Sequence, residues 1–339
     1  MSGFVSVSLR WLVNVESLNG IESIGNLSRH RTAPIVVRDG DSYEIKFVPC
    51  ISGESLAHAY QSLVIEHAQK KGLPIGEYSK LNEFVKFTDE NIMKKEKVKP
   101  PQNADDVRRA EVDVMLKDTI CDIGGFLYAG GFPIKRTSRF QVGYMIPASE
   151  DIRASALEAQ FHVRHSPSSL KKGKEFQIPY NIEVGSAVYT FTFNLDVEGV
   201  SRPSTLYGKK VPNEKKLDSQ RPERVRAALF AMTDLIANPT YGAKRARFLP
   251  NSEPLSAVAS FSPTSTFTVS PGNSRNFIKE TLTRSSDYKS AMSKLGVESE
   301  IFMASFDKEG GKETANIQTV GSMESLASTL IAKVLESEE

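Results

Sequence analysis

The stretch from Phe4 to Val15 constrains the fold more than any other part of the chain. Val5, Val7, Leu9, Trp11, Val13 and Val15 are apolar, and Ser6, Ser8, Arg10 and Asn14 alternate with them. Period-two alternation over this length predicts a long β-strand with one buried face. Asn19-Gly20 ends it in a turn, and a polar basic loop, Ser28-Arg29-His30-Arg31-Thr32, follows. Two β-rich pieces, Ala33–Val37 and Tyr43–Val48, flank Arg38-Asp39-Gly40-Asp41 and predict a hairpin. Pro49 to Gly53 then leads into a helix, where Leu56, Tyr60, Leu63, Val64 and His67 recur at helical spacing up to Gly72.

The rhythm breaks over residues 73–118. Met93 to Pro101 reads MKKEKVKPP, which predicts a mobile surface loop, and a helix is expected around Ala104–Lys117. Arg139–Ile146 alternates again, with Phe140, Val142, Tyr144 and Ile146 on one face. A second irregular region, 150–182, precedes a long strand carrying Ala187, Tyr189, Phe191, Phe193, Leu195 and Val197 on one side. An amphipathic helix at Pro222–Ala237, extended sequence at Arg247–Phe261 and helices near Asn276–Leu295 and Ser322–Glu336 complete the chain. Strand, helix, strand, strand, helix, strand is the ferredoxin-like βαββαβ plan of the α+β class. It divides the chain into a discontinuous unit, 1–72 and 139–270, a helical and loop insertion at 73–138, a second insertion at 150–182, and a C-terminal helical extension, 271–339. This plan serves many functions and decides none.

Charge narrows the partner. The 339 residues carry 43 basic and 41 acidic side chains, a net charge of +2, so the average points to no polyanion. Segments differ sharply. From Arg202 to Arg226 eight basic residues face three acids, net +5, and Lys244, Arg245 and Arg247 add three more. From Val297 onward nine acids face three lysines, net −6. Solvated surface is the ordinary reading of any one such run. Several basic loops together fit a phosphate backbone, and ends of opposite sign fit head-to-tail self-association. Lys209, Lys210, Lys244 and Arg245 are singled out on charge alone.

Catalytic chemistry finds little support. Cys50 and Cys121 cannot make a disulfide framework or a Cys-rich zinc site. His30, His58, His67, His162 and His165 form no His-Glu-x-x-His pair, no carboxylate cluster has metal-ligand spacing, and Gly124 to Gly131 is no phosphate-binding fingerprint. No metal and no cofactor are expected. His58 and His67 read as helix-surface or half-buried residues. His162 and His165 frame a basic loop, where an imidazole can stack on a base or meet a phosphate. A metal-independent ribonuclease would need a positioned acid and base, for which His30 beside Arg29 and Arg31 is the candidate. Ser52, Gly53 and Ser55 open a helix, where free backbone N–H groups attract phosphate; the same residues read equally well as a simple cap. The N-terminus lacks a signal-peptide pattern and no apolar run approaches the ~20 residues of a membrane span, so a soluble, cytoplasmic protein without a membrane partner is expected.

Three blocks in order carry a family likeness. Trp11-Leu12-Val13-Asn14-Val15-Glu16-Ser17-Leu18-Asn19-Gly20 followed by Ser28-Arg29-His30-Arg31-Thr32-Ala33-Pro34 is the first. Pro49-Cys50-Ile51-Ser52-Gly53-Glu54-Ser55-Leu56 is the second, and Cys121-Asp122-Ile123-Gly124-Gly125-Phe126-Leu127 through Lys135-Arg136-Thr137-Ser138 into Arg139–Pro147 is the third. Together they resemble the backbone subunit of archaeal type I-A CRISPR Cascade, the DevR-type seventh Cas protein. The resemblance runs from the first strand to the basic helix region and adds little after about Ser270. It implies an RRM-like palm with a helical insertion and a thumb-like insertion, and no catalytic activity. Copies would polymerise along CRISPR RNA, hold the spacer for pairing with a target DNA strand, and contact other Cascade subunits. Carried over, Asn19 and Arg29 to Arg31 lie near the RNA, Ser52 to Ser55 meet its phosphates, and His162 and His165 lie near the base of the thumb. The alternative in the enzyme class is a metal-independent CRISPR RNA-processing ribonuclease.

Overall fold

The structure, a computed structural model, describes residues 3–165, 177–205, 209–238, 241–242, 244, 246–310 and 317–337. In chain order the strands and helices are β1 (Phe4–Glu16), β2 (Gly20–Ile24), β3 (Leu27–His30), β4 (Thr32–Asp39), β5 (Ser42–Pro49), α1 (Gly53–Lys70), α2 (Glu90–Lys95), α3 (Val107–Lys117) and α4 (Thr119–Gly124). They continue as β6 (Phe126–Tyr128), β7 (Ile134–Arg136), β8 (Phe140–Val142), β9 (Ile146–Pro147), β10 (Ala156–His165), β11 (Gln177–Asp196), α5 (Glu214–Ala237), β12 (Asn251–Ser262), α6 (Phe277–Lys294), β13 (Phe302–Asp307), β14 (Gln318–Thr319) and α7 (Met323–Glu336). The architecture is mixed α+β.

β1 is the centre of the molecule. It pairs antiparallel with β11, from Phe4 opposite Asp196 to Val13 opposite Ala187, and antiparallel with β12 on its other edge. The ten-stranded sheet runs β14-β13-β12-β1-β11-β3-β2, with β8, β9 and β10 also pairing with β11. Val5, Val7, Leu9, Trp11 and Val13 point into one core with Tyr60 and Val64 of α1 and Leu229, Met232 and Leu235 of α5. The Tyr60 ring sits 4.6 Å from Phe140 and 4.8 Å from Phe193, joining helix to sheet. Each such fully buried apolar side chain contributes roughly 1.5–3 kcal/mol.

The other face of β1 is not solvated. Ser6, Ser8 and Arg10 are fully buried, because the chain after β12 folds back over them. Ser6 Oγ accepts the Val269 N–H at 3.1 Å and Ser8 Oγ accepts the Gly272 N–H at 3.0 Å. The Arg10 guanidinium donates to Gly272 O at 3.0 Å and to Glu309 at 2.7 Å, and pairs with Asp151. A buried guanidinium needs such partners, and here two carboxylates supply them.

Several further expectations are corrected. The basic loop at Ser28–Thr32 is largely strand β3, hairpinned to β2 and parallel to β11 at Asn181 and Ile182. Met93 to Pro101 is packed: Met93 and Val98 are buried in a separate core with Phe87, Val114, Phe126 and Tyr128. Arg139–Ile146 is two short strands, β8 and β9, since pairing to β11 is interrupted between Val142 and Ile146. The region after residue 271 is not helical throughout, because β13 extends the main sheet beside β12. The hairpin β4–β5, α1 and the long strand β11 stand as expected, although β4–β5 forms its own two-stranded sheet. Among the described residues no helix is long and apolar enough to cross a membrane.

Candidate nucleic-acid interface

The exit of β1 gathers three of the segments marked in the sequence. Pairing with β11 slips between Val13 and Glu16, and Val15 takes a left-handed φ of 54°. The slip turns Glu16 inward, where its carboxylate accepts the Leu18 N–H at 2.8 Å and the Tyr189 hydroxyl at 2.8 Å. The chain is thereby steered to Asn19. Asn19 Oδ1 accepts the Ser52 N–H at 2.9 Å, and its backbone carbonyl accepts the Arg31 N–H at 2.9 Å. The Arg31 carbonyl in turn accepts the Cys50 N–H at 3.0 Å. One residue thus ties the end of β1, the end of β3 and the start of α1 into a single junction. Lys244 joins it, with Nζ 4.0 Å from where a side chain on Gly20 would begin.

The junction presents cations. Arg29 is half-buried and makes no hydrogen bond or ion pair with another described residue. Arg31 is also half-buried, and its Nε is enclosed without a partner among the described residues. Burial, then the nearby Arg247, lowers the Lys244 ammonium below its ordinary value. A phosphate among these groups would meet charge that the protein itself leaves unneutralised.

At the head of α1 the capping reading holds. Ser52 is buried, its backbone is extended (φ −69°, ψ 153°), and its hydroxyl accepts the Ser55 N–H at 3.2 Å. Gly53 answers to packing, because a Cβ there would lie 3.2 Å from the Val142 carbonyl. The N–H groups of Gly53 and Glu54 have no partner among the described residues and remain open donors.

His30 does not reach the surface. It is fully buried, with Nε2 2.6 Å from Glu16 and Nδ1 2.7 Å from the Arg31 carbonyl, and its N–H donates to Glu183 at 2.8 Å. Burial by itself lowers the imidazole's pKa, but the adjacent Glu16 carboxylate outweighs it and the net shift is upward. His30 is therefore a buried residue holding β3 to β1 and β11, and the expectation of direct contact is corrected. The parts that Glu16, Glu183 and Tyr189 play here escaped the sequence reading; the one available signal was an acid closing an otherwise apolar alternation.

The remaining candidates lie elsewhere. His162, on β10, stacks on Tyr180 at 5.3 Å and meets Phe248 edge-on at 5.7 Å, so packing between β10, β11 and the lead into β12 occupies its ring. His165 is placed only as the β10 residue opposite Gln177; its side chain, like the whole of Arg245, lies outside the described residues. Lys209 and Lys210 are exposed before α5. The 24 residues of that helix span about 36 Å, so these lysines sit at the end opposite Asn238 and away from the junction. The +5 segment is also less open than its count suggests. Arg224 is buried against Asp122, Arg221 donates to the Val197 and Val200 carbonyls, and Arg202 and Arg226 pair with Asp218 and Glu223. His67 meets Asp234 at 2.6 Å, and His58 lies edge-on to Phe84. Among the described residues no group of three or more His, Cys, Asp or Glu could hold a metal ion.

Comparison with known proteins gives the family. Residues 7–282 match the family described as "CRISPR-associated negative auto-regulator DevR/Csa2". A Saccharolobus solfataricus protein named "CRISPR-associated aCascade subunit Cas7/Csa2 2" is 47% identical over 282 residues, 83% of this chain and 86% of the relative. A second protein of that organism, "CRISPR-associated protein Cas7/Csa2 1", is 36% identical over 73% of this chain and 75% of its own length. Among solved structures, a chain of a "CRISPR RNA-guided surveillance complex, pre-nicking" shares the fold with a TM-score of 0.52 at 10% identity, covering 97% of this chain and 99% of that one. The chain belongs to the DevR/Csa2 family of CRISPR-associated proteins.

Proposed function

We propose that this protein is a non-catalytic RNA-binding backbone subunit of an archaeal type I-A Cascade. It polymerises along CRISPR RNA, presents the spacer for pairing with a target DNA strand in antiviral defence, and contacts the other Cascade subunits in the cytoplasm. The observation that carries this reading is the junction at the exit of β1, where Asn19 joins Arg31 and the head of α1 beside Lys244 and the strand that carries Arg29, and none of these three cations makes an ion pair with another described residue. Such a site grips a backbone and leaves sequence discrimination to base pairing. On this reading β12-β1-β11 with β8 and β9, crossed by α1 and α5, is an RRM-like palm, β10 and β11 rise into the thumb-like insertion, and residues 73–138 are the helical insertion. The basic middle and the acidic end of the sequence favour an open head-to-tail assembly.

The ribonuclease alternative draws no support from His30 or His162. His30 is buried in a carboxylate pair and His162 is stacked into packing, so neither is placed as an acid or base toward a bound strand.

Fluorescence anisotropy with a labelled single-stranded RNA tests the reading. Replacing Arg29 and Arg31 together by alanine is expected to weaken binding across sequences. It should also flatten the dependence of log K on log salt by about two phosphate contacts. Unchanged affinity and slope would remove these residues from the interface.

A further inference from the structure

A cleft of about 740 Å³ opens beside Asn19 and Gly20, between α1 and the end of α5. Its size suits a single nucleoside or side chain. Among the described residues its lining contains no lysine or arginine, although Lys244 stands at its edge beside Gly20, and its walls carry Asn82, Asn238, Asp234, Glu66, His58 and Ser62. The side-chain amides of Asn82 and Asn238 and the Glu66 carboxylate make no hydrogen bond to another described residue. Asp234 offers one oxygen to His67 and keeps the other open. Where the junction is cationic, the cleft is the reverse.

This chemistry disfavours phosphate, because Glu66, without a partner among the described residues, and Asp234, with only His67 beside it, would repel it. It suits a group rich in neutral donors with acceptors interspersed. Amide side chains pair with both donor and acceptor edges of a base, and carboxylates accept from base N–H groups or a ribose 2′-hydroxyl. Position favours the same occupant. Asn19 and Ser55 line the cleft and also belong to the junction, so a strand held by its phosphates at the junction brings its own sugar and base to the cleft. We propose that the cleft receives the ribose and base of one nucleotide of the bound strand, and that the protein therefore prefers RNA to DNA of the same sequence. This inference rests on the RNA-binding reading above and adds to it a second contact, neutral where the first is ionic.

The test measures anisotropy with one sequence made as RNA and as DNA, using the full chain and the double variant N82G/N238A. Asn82 has φ 59°, a conformation glycine accepts, so the first substitution removes the amide without straining the backbone. The wild type is expected to bind RNA more tightly, and the variant to lose about tenfold in RNA affinity while DNA affinity and salt slope stay unchanged. S62Y, which fills the cleft, is expected to do the same, and a thermal melt confirms that each variant folds. A wild type that binds RNA and DNA equally, or variants whose RNA-to-DNA ratio is unaltered, overturns the cleft assignment while leaving the junction standing. A wild type that binds neither overturns both. The competing occupant is a cationic side chain of a second copy. Loss of self-association in RNA-free N82G/N238A, with the RNA-to-DNA ratio intact, would assign the cleft to that contact.

Discussion

His30 shows how a residue can matter to an interface it never touches. Its imidazole sits between Glu16 and the Arg31 carbonyl, directly behind the two arginines proposed to meet RNA. Replacing it by alanine leaves the Glu16 carboxylate buried against Tyr189 without its imidazole partner, at an expected cost of about 3–5 kcal/mol where the imidazole is protonated. The same pair gives a pH dependence. The native pKa lies above the unfolded value, so the stabilisation is fully present below about pH 6.5 and is lost as pH rises through the raised native value. Urea unfolding from pH 6 to pH 9 should show stability falling in the wild type, with the slope reduced in H30A; equal slopes would remove His30 as the titrating group. The sequence marked His30 correctly as part of this region but not its role, since its partners Glu16 and Glu183 lie 14 and 153 residues away and only folding brings them together.

At the scale of elements, legibility followed periodicity. β1, α1 and the long strand β11 could be read because a single repeat runs through each. β3 could not, because four residues, Leu27-Ser28-Arg29-His30, carry no period and their strand state depends on pairing with β11. The polar face of β1 was unreadable for a similar reason: the cover over Ser8 and Arg10 comes from Gly272 and Glu309. Charge counting failed where acids arrive from a distance. Asp122 on α4 binds Arg136 and Arg224, and Glu111 on α3 accepts the N–H groups of Ser204 and Thr205. Burial alone would raise the Asp122 pKa, but the two arginines outweigh it and hold it low. D122N should destabilise the protein by about 3–5 kcal/mol in chemical denaturation, because it leaves two guanidinium groups buried without their shared carboxylate. A loss below 1 kcal/mol would mean that the α4–α5 contact does not depend on this network.

Across the whole molecule, a central strand carries information from core to surface. The face of β1 that fills the core ends in a slip that turns Glu16 inward, and that turn sets Asn19 between Arg31 and Ser52. The junction, the cleft beside it and the ribbon of β10 and β11 all hang on strands paired to β1 or β11. A net charge near zero has a consequence at this scale, since uniformly basic copies would repel each other along a shared strand. The most direct measurement is nuclease protection of the purified protein, isolated at low and at moderate salt, with its size followed in parallel. An RNA-binding backbone should yield protected RNA whose length grows with the number of copies in the oligomer and which moderate salt releases. Oligomers that contain no RNA and keep their size under nuclease would show that the chain assembles without the strand it is proposed to hold.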